Sequence, residues 1–241
     1  MGGEGARFRA IGTDLPKPLV LLQGRPFFYW AAACLTKSLP LASLTFVTLR
    51  RHVEAYAIDT TIRSYFPQAR IVVLEQVENG PVLTCLAGVR DLDDDQPVLF
   101  NDCDHLFHSQ ALVRWVRSGL ADSEDHGGTL VSFPADNPAY SYLAESAPGR
   151  VSATVEKKVI GRHAICGAYL FRKRSVFVEA ARHYLEHCPY REFFMSGVYN
   201  SLIARGLAVN HLPLDLHLSF GTPEELAQVA DHSLLSFYRD Q

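Results

Sequence analysis

The first residues whose types and spacing could do chemistry lie at the start of the chain. Gly2, Gly3 and Gly5 fill three of four positions, and glycine lacks the Cβ that would keep an anion away from backbone N–H groups. Arg7 adds a planar fork of donors and Lys17 a mobile charge, and both suit phosphate oxygens. The spacing fits neither the P-loop nor the dinucleotide fingerprint. This stretch therefore predicts a phosphate site of another kind, the alternative being a floppy chain end.

A pair of carboxylates, Asp102 and Asp104, follows the apolar residues 97–100. Two carboxylates two positions apart in a turn can converge on one hard cation. Mg²⁺ prefers one or two carboxylates together with phosphate oxygens. We therefore predict that Asp104 and Asp102 bind Mg²⁺. The alternative is a solvated turn at a strand end, where Asn and Asp are common.

The motif G-G-x-G-x-R-F at residues 2–8, paired with P-K-P-L at residues 16–19, resembles the sugar-phosphate nucleotidyltransferase family. The likeness is greatest to the subgroup found in capsular and surface-polysaccharide gene sets. Members of the family join a nucleoside triphosphate to a phosphorylated sugar or similar alcohol and release pyrophosphate. The resemblance implies that the three glycines wrap the triphosphate while Arg7 and Lys17 neutralise it. It also implies that Asp104 is the metal-binding aspartate, whereas Asp102 stands where the subgroup often carries Asn.

Residues 155–160 and 164–171 resemble two further blocks of the family, E-K-x-x-I and A-x-x-G-x-Y-x-F. The resemblance implies that Lys157 pairs with the acceptor phosphate and positions its oxygen for in-line attack on the α-phosphorus. It also implies that Glu156 binds a hydroxyl, and that Gly167 lets the acceptor approach the strand backbone. The alternative for Glu156 and Lys157 is an exposed turn between two strands.

Gln76 and Gly80 lie in the loop where this family binds the nucleotide base. The resemblance implies that a backbone group near Gly80 reads the base edge, with Gln76 as a second candidate. The alternative is a plain turn at Asn79 and Gly80.

Residues 221–226 resemble the family's closing motif, G-T-P-E-D-L. Many relatives carry a second metal-binding aspartate two residues before that glycine, and here the position is Ser219. Asp215 and His217 are the two candidates to replace it.

The elements that must position these residues alternate between strands and helices. Strands are predicted at residues 44–49, 70–74, 97–100 and 129–133, and helices at residues 27–39, 54–66, 82–91 and 109–119. Such alternation predicts βαβ units, so we expect a Rossmann-like α/β fold of nucleotidyltransferase type, with a mainly parallel sheet and flanking helices. Ligands then lie off the carboxyl ends of the strands, where the loops described above fall. The second half is less regular, with strands at 151–155, 163–171 and 207–212 and helices at 173–187, 193–205 and after Thr222.

Length and composition set the remaining expectations. The 241 residues suit one large α/β domain, so we interpret residues 1–241 as a single domain. A net charge of −3 without a basic block argues against a nucleic-acid partner. Five cysteines without a C-x-x-C pair predict thiols in a reducing compartment, and the ten histidines are interpreted as surface or structural residues. Because the sequence shows no signal peptide and no apolar run of membrane-spanning length, we expect a cytoplasmic protein without a membrane partner. The sequence does not decide whether the protein forms a homo-oligomer.

In the family the glycine loop follows a buried strand, whereas this sequence starts at Met1. A missing strand would leave desolvated backbone groups unpaired at about 1–3 kcal/mol each. We therefore expect the native chain to carry about five to ten further apolar residues upstream. The alternatives are a rearranged sheet or a strand supplied by a partner.

Two other functions fit part of the pattern. A glycosyltransferase also uses D-x-D and a metal to hold a nucleotide sugar, but it does not need Arg7 and Lys17 for a triphosphate. A non-catalytic nucleotide-sugar-binding protein is the other, favoured by Ser219 and the missing strand.

Overall fold

The computed structural model describes Met1, Phe8 and residues 12–119 and 124–239. The predicted phosphate-binding residues Gly2, Gly3, Gly5 and Arg7 therefore lie outside the described residues.

Contacts divide the chain into two compact units. The first unit comprises Met1–Glu78, Asp102–His108 and Leu216–Gln241, and the second comprises Asn79–Asn101 and Ser109–Asp215. The interpretation of residues 1–241 as a single domain stays a prediction, as does the strand upstream of Met1.

The strands are, in chain order, β1 (Leu21–Leu22), β2 (Arg25–Pro26), β3 (Thr45–Leu49), β4 (Arg70–Leu74), β5 (Val98–Asn101), β6 (His105–His108), β7 (His126–Pro134), β8 (Tyr142–Ala147), β9 (Arg150–Val155), β10 (His163–Phe171), β11 (Ala208–Pro213) and β12 (Leu216–Ser219). The α-helices span Phe27–Ser38, Arg50–Tyr56, Ile58–Tyr65, Pro81–Gly88, Gln110–Arg117, Arg174–His187, Met195–Ala204, Pro223–Val229 and Leu235–Arg239, and a short 3₁₀ turn spans Lys17–Leu19.

The first unit is organised around the helix Phe27–Ser38, which buries nine consecutive residues from its start. Its polar aromatic groups are satisfied, because Trp30 donates to the Leu22 carbonyl at 3.0 Å and Tyr29 to the Tyr238 carbonyl at 2.9 Å. Strands β3 and β4 pair in parallel, as predicted. Strands β6 and β12 form a separate antiparallel ladder, which fixes the residues around the predicted metal site.

The second unit contains a six-stranded sheet in the order β5-β10-β7-β11-β9-β8. Strand β8 also pairs with β10, so five of these strands form a closed ring of pairings. Among the described strands of this sheet, β7 and β11 are the one parallel pair, and the other pairings are antiparallel. The expectation of a mainly parallel sheet is therefore wrong.

Connection length explains the antiparallel pairing. Parallel neighbours need a crossover of about a dozen residues or more, whereas antiparallel strands can be joined by a two-residue turn. Only Pro148 and Gly149 separate β8 from β9, and Gly149 has the positive φ of +77° that such a turn requires. The second half of the chain therefore builds hairpins rather than βαβ units.

One smaller difference from the sequence prediction also has a local cause. The predicted helix over 54–66 is two helices, because Ala57 adopts a left-handed conformation (φ +46°) that ends one and begins the next. The last helix begins at Pro223 with the predicted cap, since Thr222 accepts from the Glu225 amide while Glu225 accepts from the Thr222 amide. None of the described helices has the length and apolar character needed to cross a membrane.

Candidate active site

Lys17 and Asp104 form an ion pair in the first unit. Lys17 begins the 3₁₀ turn Lys17–Leu19 and lies between Pro16 and Pro18, which fix the backbone direction. Asp104 directly precedes β6, and its side chain is 27% exposed against 23% for Lys17. A cation and a carboxylate 87 residues apart in sequence are thus brought together at a partly open position.

The pair is ionised at neutral pH. Burial alone would lower the pKa of Lys17, but the Asp104 carboxylate outweighs it and the pKa is raised above 10.5. Burial would likewise raise the pKa of Asp104, but the charge and hydrogen bond of Lys17 hold it below the usual 3.8. The site therefore presents an anionic oxygen ligand beside a fixed positive charge.

Gly221 sets the space available to Asp104. A Cβ at position 221 would lie 2.7 Å from Asp104 Oδ2, which is closer than side chains tolerate, and 3.2 Å from Glu225 Oε2, which is a tight contact. The Phe220 amide also donates to the Asp104 carbonyl at 2.9 Å. The glycine of the closing motif thus lets the chain pass directly beside the predicted metal-binding aspartate.

Ser219, the residue at the position of the family's second aspartate, pairs with His105 across the β6–β12 ladder. On the same ladder His105 Nδ1 and His217 Nε2 lie 3.3 Å apart. Burial lowers the pKa of His105 to about 4 and that of His217 to about 3, so both imidazoles are neutral at pH 7. Asp215, the other candidate ligand, accepts from the Gln110 amide at 2.6 Å at the start of a helix in the second unit.

Asp102 and Gln76 are exposed residues of the first unit. Asp102 contributes to the raised pKa of Lys17, so its charge is felt at the Lys17–Asp104 pair. Gln76 follows β4, next to Glu75, whose carboxylate accepts two hydrogen bonds from Arg50 at 2.8 and 3.3 Å.

Glu156 lies at the end of β9 in the second unit and is tied into a small polar network. Its Oε2 accepts hydrogen bonds from the Ser141 hydroxyl and from the Ser196 hydroxyl, the latter at 2.9 Å. Its amide donates to the Tyr190 hydroxyl at 3.2 Å. The Glu156 side chain is therefore held in one direction by two donors.

Lys157 is exposed and adopts a left-handed backbone conformation, with φ of +52°. This region is uncommon for residues other than glycine, and such strain is frequent at ligand-binding positions. Its ammonium lies 4.6 Å from the centroid of the Phe194 ring, a cation–π contact. Gly167 lies in β10 with φ of +88°, where the register with β7 shifts between Ile165 and Tyr169.

Gly80 precedes the helix Pro81–Gly88 in the second unit, with φ of +97°. A Cβ there would lie 2.5 Å from the Phe193 backbone nitrogen and 2.7 Å from its oxygen. Two backbone hydrogen bonds hold Phe193 against the residues around Gly80. The Phe193 amide donates to the Asn79 carbonyl at 3.2 Å, and the Val82 amide donates to the Phe193 carbonyl at 3.1 Å. Gly80 thus has a structural reason to be glycine, whether or not it also reads a base.

Replacing Gly80 with alanine should destabilise the protein by about 2 kcal/mol or more, because it adds a backbone clash to the strain of positive φ. Gly206→Ala is the matched control, since Gly206 has φ of +80° but nothing within 4 Å of its Cβ position. We expect the control to cost about 1 kcal/mol, the strain alone. Urea unfolding measures both, and equal losses would mean that the contact with Phe193 does not matter.

The sequence reasoning missed the partners of Glu156 and the support behind them. Ser141 lies in the loop between β7 and β8, directly before Tyr142. Asn200, on the helix Met195–Ala204, bonds both backbone groups of Thr154 at 2.8 Å and so fixes β9 two residues before Glu156. The sequence did not predict that Ser196 bonds Glu156 or that Gly221 lies beside Asp104, because both contacts depend on tertiary structure.

Comparison with known proteins places these residues in context. The family model for the MobA-like NTP transferase domain matches residues 1–186. Similar curated proteins include mannose-1-phosphate guanyltransferases of Debaryomyces hansenii, 28% identical over 183 residues, and of Emericella nidulans, 29% identical over 185 residues. Each alignment covers 70% of this chain, and 48% and 47% of the two relatives. The chain thus spans about half the length of the curated relatives it matches.

Solved structures give a longer match at lower identity. A nucleoside-diphosphate-sugar pyrophosphorylase from Vibrio cholerae RC9 has a TM-score of 0.80 and 18% identity, covering 95% of this chain and 96% of that one. An inositol-1-phosphate CTP transferase from T. maritima has a TM-score of 0.74 and 16% identity, covering 99% and 93%. These likenesses confirm the predicted α/β fold of nucleotidyltransferase type.

Proposed function

The chain belongs to the MobA-like NTP transferase family, and from this premise we propose that it joins a nucleoside triphosphate to a phosphorylated sugar or related acceptor and releases pyrophosphate. The observation that carries the proposal is the Lys17–Asp104 pair beside Gly221, because it combines a charged phosphate-binding group with an ionised metal ligand. The named activities of the relatives, which act on mannose 1-phosphate or inositol 1-phosphate, support this reaction class.

The residues around Asp104 fit the Mg²⁺ that the family commonly uses. The low pKa of Asp104 keeps its carboxylate ionised at neutral pH, and Asp102 adds a second oxygen donor nearby in the chain. Hard oxygen ligands of this kind suit Mg²⁺. When bound, the ion would supply charge stabilisation for the leaving pyrophosphate. Ser219 leaves the second metal ligand of many relatives without an equivalent carboxylate.

Positively charged side chains of the protein neutralise the rest of the phosphate charge. We assign Arg7 and Lys17 to the triphosphate, with Gly2, Gly3 and Gly5 offering backbone N–H groups. Lys17 exchanges Asp104 for phosphate oxygens when the nucleotide binds. Because the acceptor phosphate is already an anion, no covalent nucleophile is needed, and catalysis consists of positioning and charge neutralisation.

We assign acceptor binding to Glu156, Lys157 and Gly167. The exposed ammonium of Lys157 suits the acceptor phosphate, and the strained backbone at this position supports a role in binding. The two serine donors on Glu156 Oε2 fix its carboxylate so that it can accept from an acceptor hydroxyl. The nucleotide base is assigned to the segment containing Gln76 and to Gly80.

We propose that the reaction takes place in a reducing, cytoplasmic compartment. All five cysteines, which fall within the described ranges, are thiols, and this supports the proposed reducing, cytoplasmic compartment. A role in capsular or surface-polysaccharide synthesis and a homo-oligomeric state both stay predictions. Light scattering of the purified protein would settle the oligomeric state.

Lys17→Ala should raise the KM for the triphosphate by about tenfold or more while leaving the acceptor KM nearly unchanged, because one charge-assisted phosphate contact is lost. Initial rates of pyrophosphate release, with each substrate varied in turn, measure the two constants. Lys37→Ala is the control, since Lys37 lies on the helix Phe27–Ser38 and contacts the Phe237 ring instead. An unchanged triphosphate KM would remove Lys17 from the nucleotide site.

The experiment that tests the proposed function is a panel of triphosphates and sugar phosphates assayed for pyrophosphate release in Mg²⁺. GTP with mannose 1-phosphate comes first, because the curated relatives are mannose-1-phosphate guanyltransferases. We expect one pair to release pyrophosphate in amounts equal to the sugar nucleotide formed. No release with any pair would overturn the proposal.

A non-catalytic nucleotide-sugar-binding protein is the second candidate, and Ser219 is the observation that favours it. Calorimetry beside the activity panel separates the two. Binding of a sugar nucleotide without turnover of any pair would favour the second candidate. Transfer of sugar from a nucleotide sugar, without pyrophosphate release, would instead indicate a glycosyltransferase.

A further inference from the structure

Three side chains from three different strands converge in the second unit. Glu145 of β8, His163 of β10 and His211 of β11 each offer a ligand atom, and these atoms lie within 4.8 Å of one another. His211 Nε2 lies 2.8 Å from Glu145 Oε1, and His163 Nε2 lies 3.3 Å from Glu145 Oε2. The two imidazole rings have centroids 4.7 Å apart.

From this convergence we propose that Glu145, His163 and His211 bind a divalent transition-metal ion, of which zinc is the best match. Two imidazoles and one carboxylate form a ligand set that zinc uses with a water as fourth ligand. Imidazole donors favour zinc, copper or nickel over Mg²⁺ and Ca²⁺, which prefer oxygen. This site shares no residue with the magnesium site proposed at Asp102 and Asp104, and it does not depend on the proposed reaction.

The observed spacing is close to what the ion needs. Ligand atoms about 2.0–2.2 Å from a tetrahedral zinc lie about 3.3–3.5 Å apart. The 3.3 Å between His163 Nε2 and Glu145 Oε2 matches that spacing, and the 2.8 Å between His211 Nε2 and Glu145 Oε1 is shorter. Because the ligand atoms all lie within 4.8 Å of one another, side-chain rotations can bring them to the spacing that zinc needs. The His163 side chain is 37% exposed, which gives the ion a path from solvent.

Additional hydrogen bonds orient two of the three proposed ligands, His211 and Glu145. His211, 8% exposed at its side chain, places Nδ1 2.8 Å from the hydroxyl of buried Ser132. In the metal-free protein Nε2 donates to the Glu145 carboxylate. When an ion takes the place of that proton, the Ser132 hydroxyl can accept from Nδ1–H, and this tautomer leaves the Nε2 lone pair for the metal. Glu145 Oε1 also accepts from the Gly149 amide at 2.7 Å.

The bound ion would clamp the closed sheet. Strand β8 meets β10 through only two residue pairs, His163 with Leu143 and Ala164 with Tyr142. Glu145 stands two residues beyond Leu143 on β8, and its carboxylate reaches His163 Nε2 at 3.3 Å. A metal held by these residues and His211 would therefore join β11 to the point where the ring of pairings closes.

Titration of the metal-stripped protein with zinc sulfate tests the proposal, with calorimetry for affinity and elemental analysis for stoichiometry. A phosphine reductant keeps the five thiols reduced without adding a thiol chelator. We expect one zinc per chain. At a hundredfold excess over Kd, zinc should raise Tm by about 5–10 °C. Failure to bind stoichiometrically would overturn the proposal, and binding without a rise in Tm would overturn the clamp.

Variants then locate the ion. Glu145→Gln and His163→Gln should each weaken zinc binding at least tenfold, and Ser132→Ala about tenfold through the orientation of His211. His187→Gln is the matched control, because His183 and His187 stack at 4.5 Å on one helix and form another pair that could bind zinc. Circular dichroism confirms that each variant is folded. Binding that survives both Glu145→Gln and His163→Gln, or that is lost in His187→Gln, would overturn the assignment.

Discussion

Replacing Asp104 with asparagine should lower kcat by about a hundredfold or more while the protein stays folded. Asparagine has nearly the same shape, so the close contact with Gly221 is kept. What is lost is the negative charge that binds Mg²⁺ and pairs with Lys17. Steady-state pyrophosphate release in Mg²⁺ measures the effect, and thermal unfolding confirms that the variant is folded.

Asp102→Asn is the control variant for the loss of kcat expected in Asp104→Asn. Asp102 is exposed, and the subgroup that the sequence resembles often carries Asn there, so we expect a loss of tenfold or less. A neutral oxygen can still serve the ion through a water. Equal losses in both variants would indicate a general effect of charge, and wild-type activity in Asp104→Asn would remove Asp104 from the metal site.

Replacing Lys157 with alanine should raise the acceptor KM by about 10- to 150-fold, with little change in the triphosphate KM. A lost charge-assisted phosphate contact costs about 1.5–3 kcal/mol, which corresponds to that range. The backbone strain at φ of +52° is the same for alanine as for lysine, so stability should change little.

Lys158→Ala is the matched control for Lys157, because it removes an equally exposed charge from the next residue. Its acceptor KM should stay within about twofold of wild type, as expected for a solvated surface charge. If both variants behave alike, Glu156 and Lys157 form an exposed turn and not an acceptor site.

Much of the fold followed from local sequence patterns. Buried β-rich runs correctly predicted β3 and β4, and the Thr222 motif predicted a capped helix. The four-residue strands β6 and β12 were missed, since runs this short carry little periodicity. Strand direction was wrong in the six-stranded sheet because it depends on which strands meet, and the two-residue turn between β8 and β9 was not recognised.

Some residues of the candidate sites could be predicted from the sequence, and others only from the structure. Lys17 and Asp104 were predicted from motifs, and the structure adds that they contact each other and that Gly221 leaves room for them. The Glu145, His163 and His211 cluster could not be predicted, because its members come from three strands brought together only by the closed sheet. The sequence prediction named His217 as the one histidine that could be a metal ligand and gave no hint of this cluster.

The measurement that tests the central claim most directly follows the α-phosphorus of the triphosphate. The protein is incubated in Mg²⁺ with a triphosphate labelled at the α-phosphorus and with the acceptor selected by the panel. We predict that the label appears in a nucleotide–sugar product, in equal amount with released pyrophosphate, and that Asp104→Asn slows the formation of both by about a hundredfold or more. Label that stays in the triphosphate, or that leaves as nucleoside monophosphate without an acceptor product, would contradict the proposed reaction.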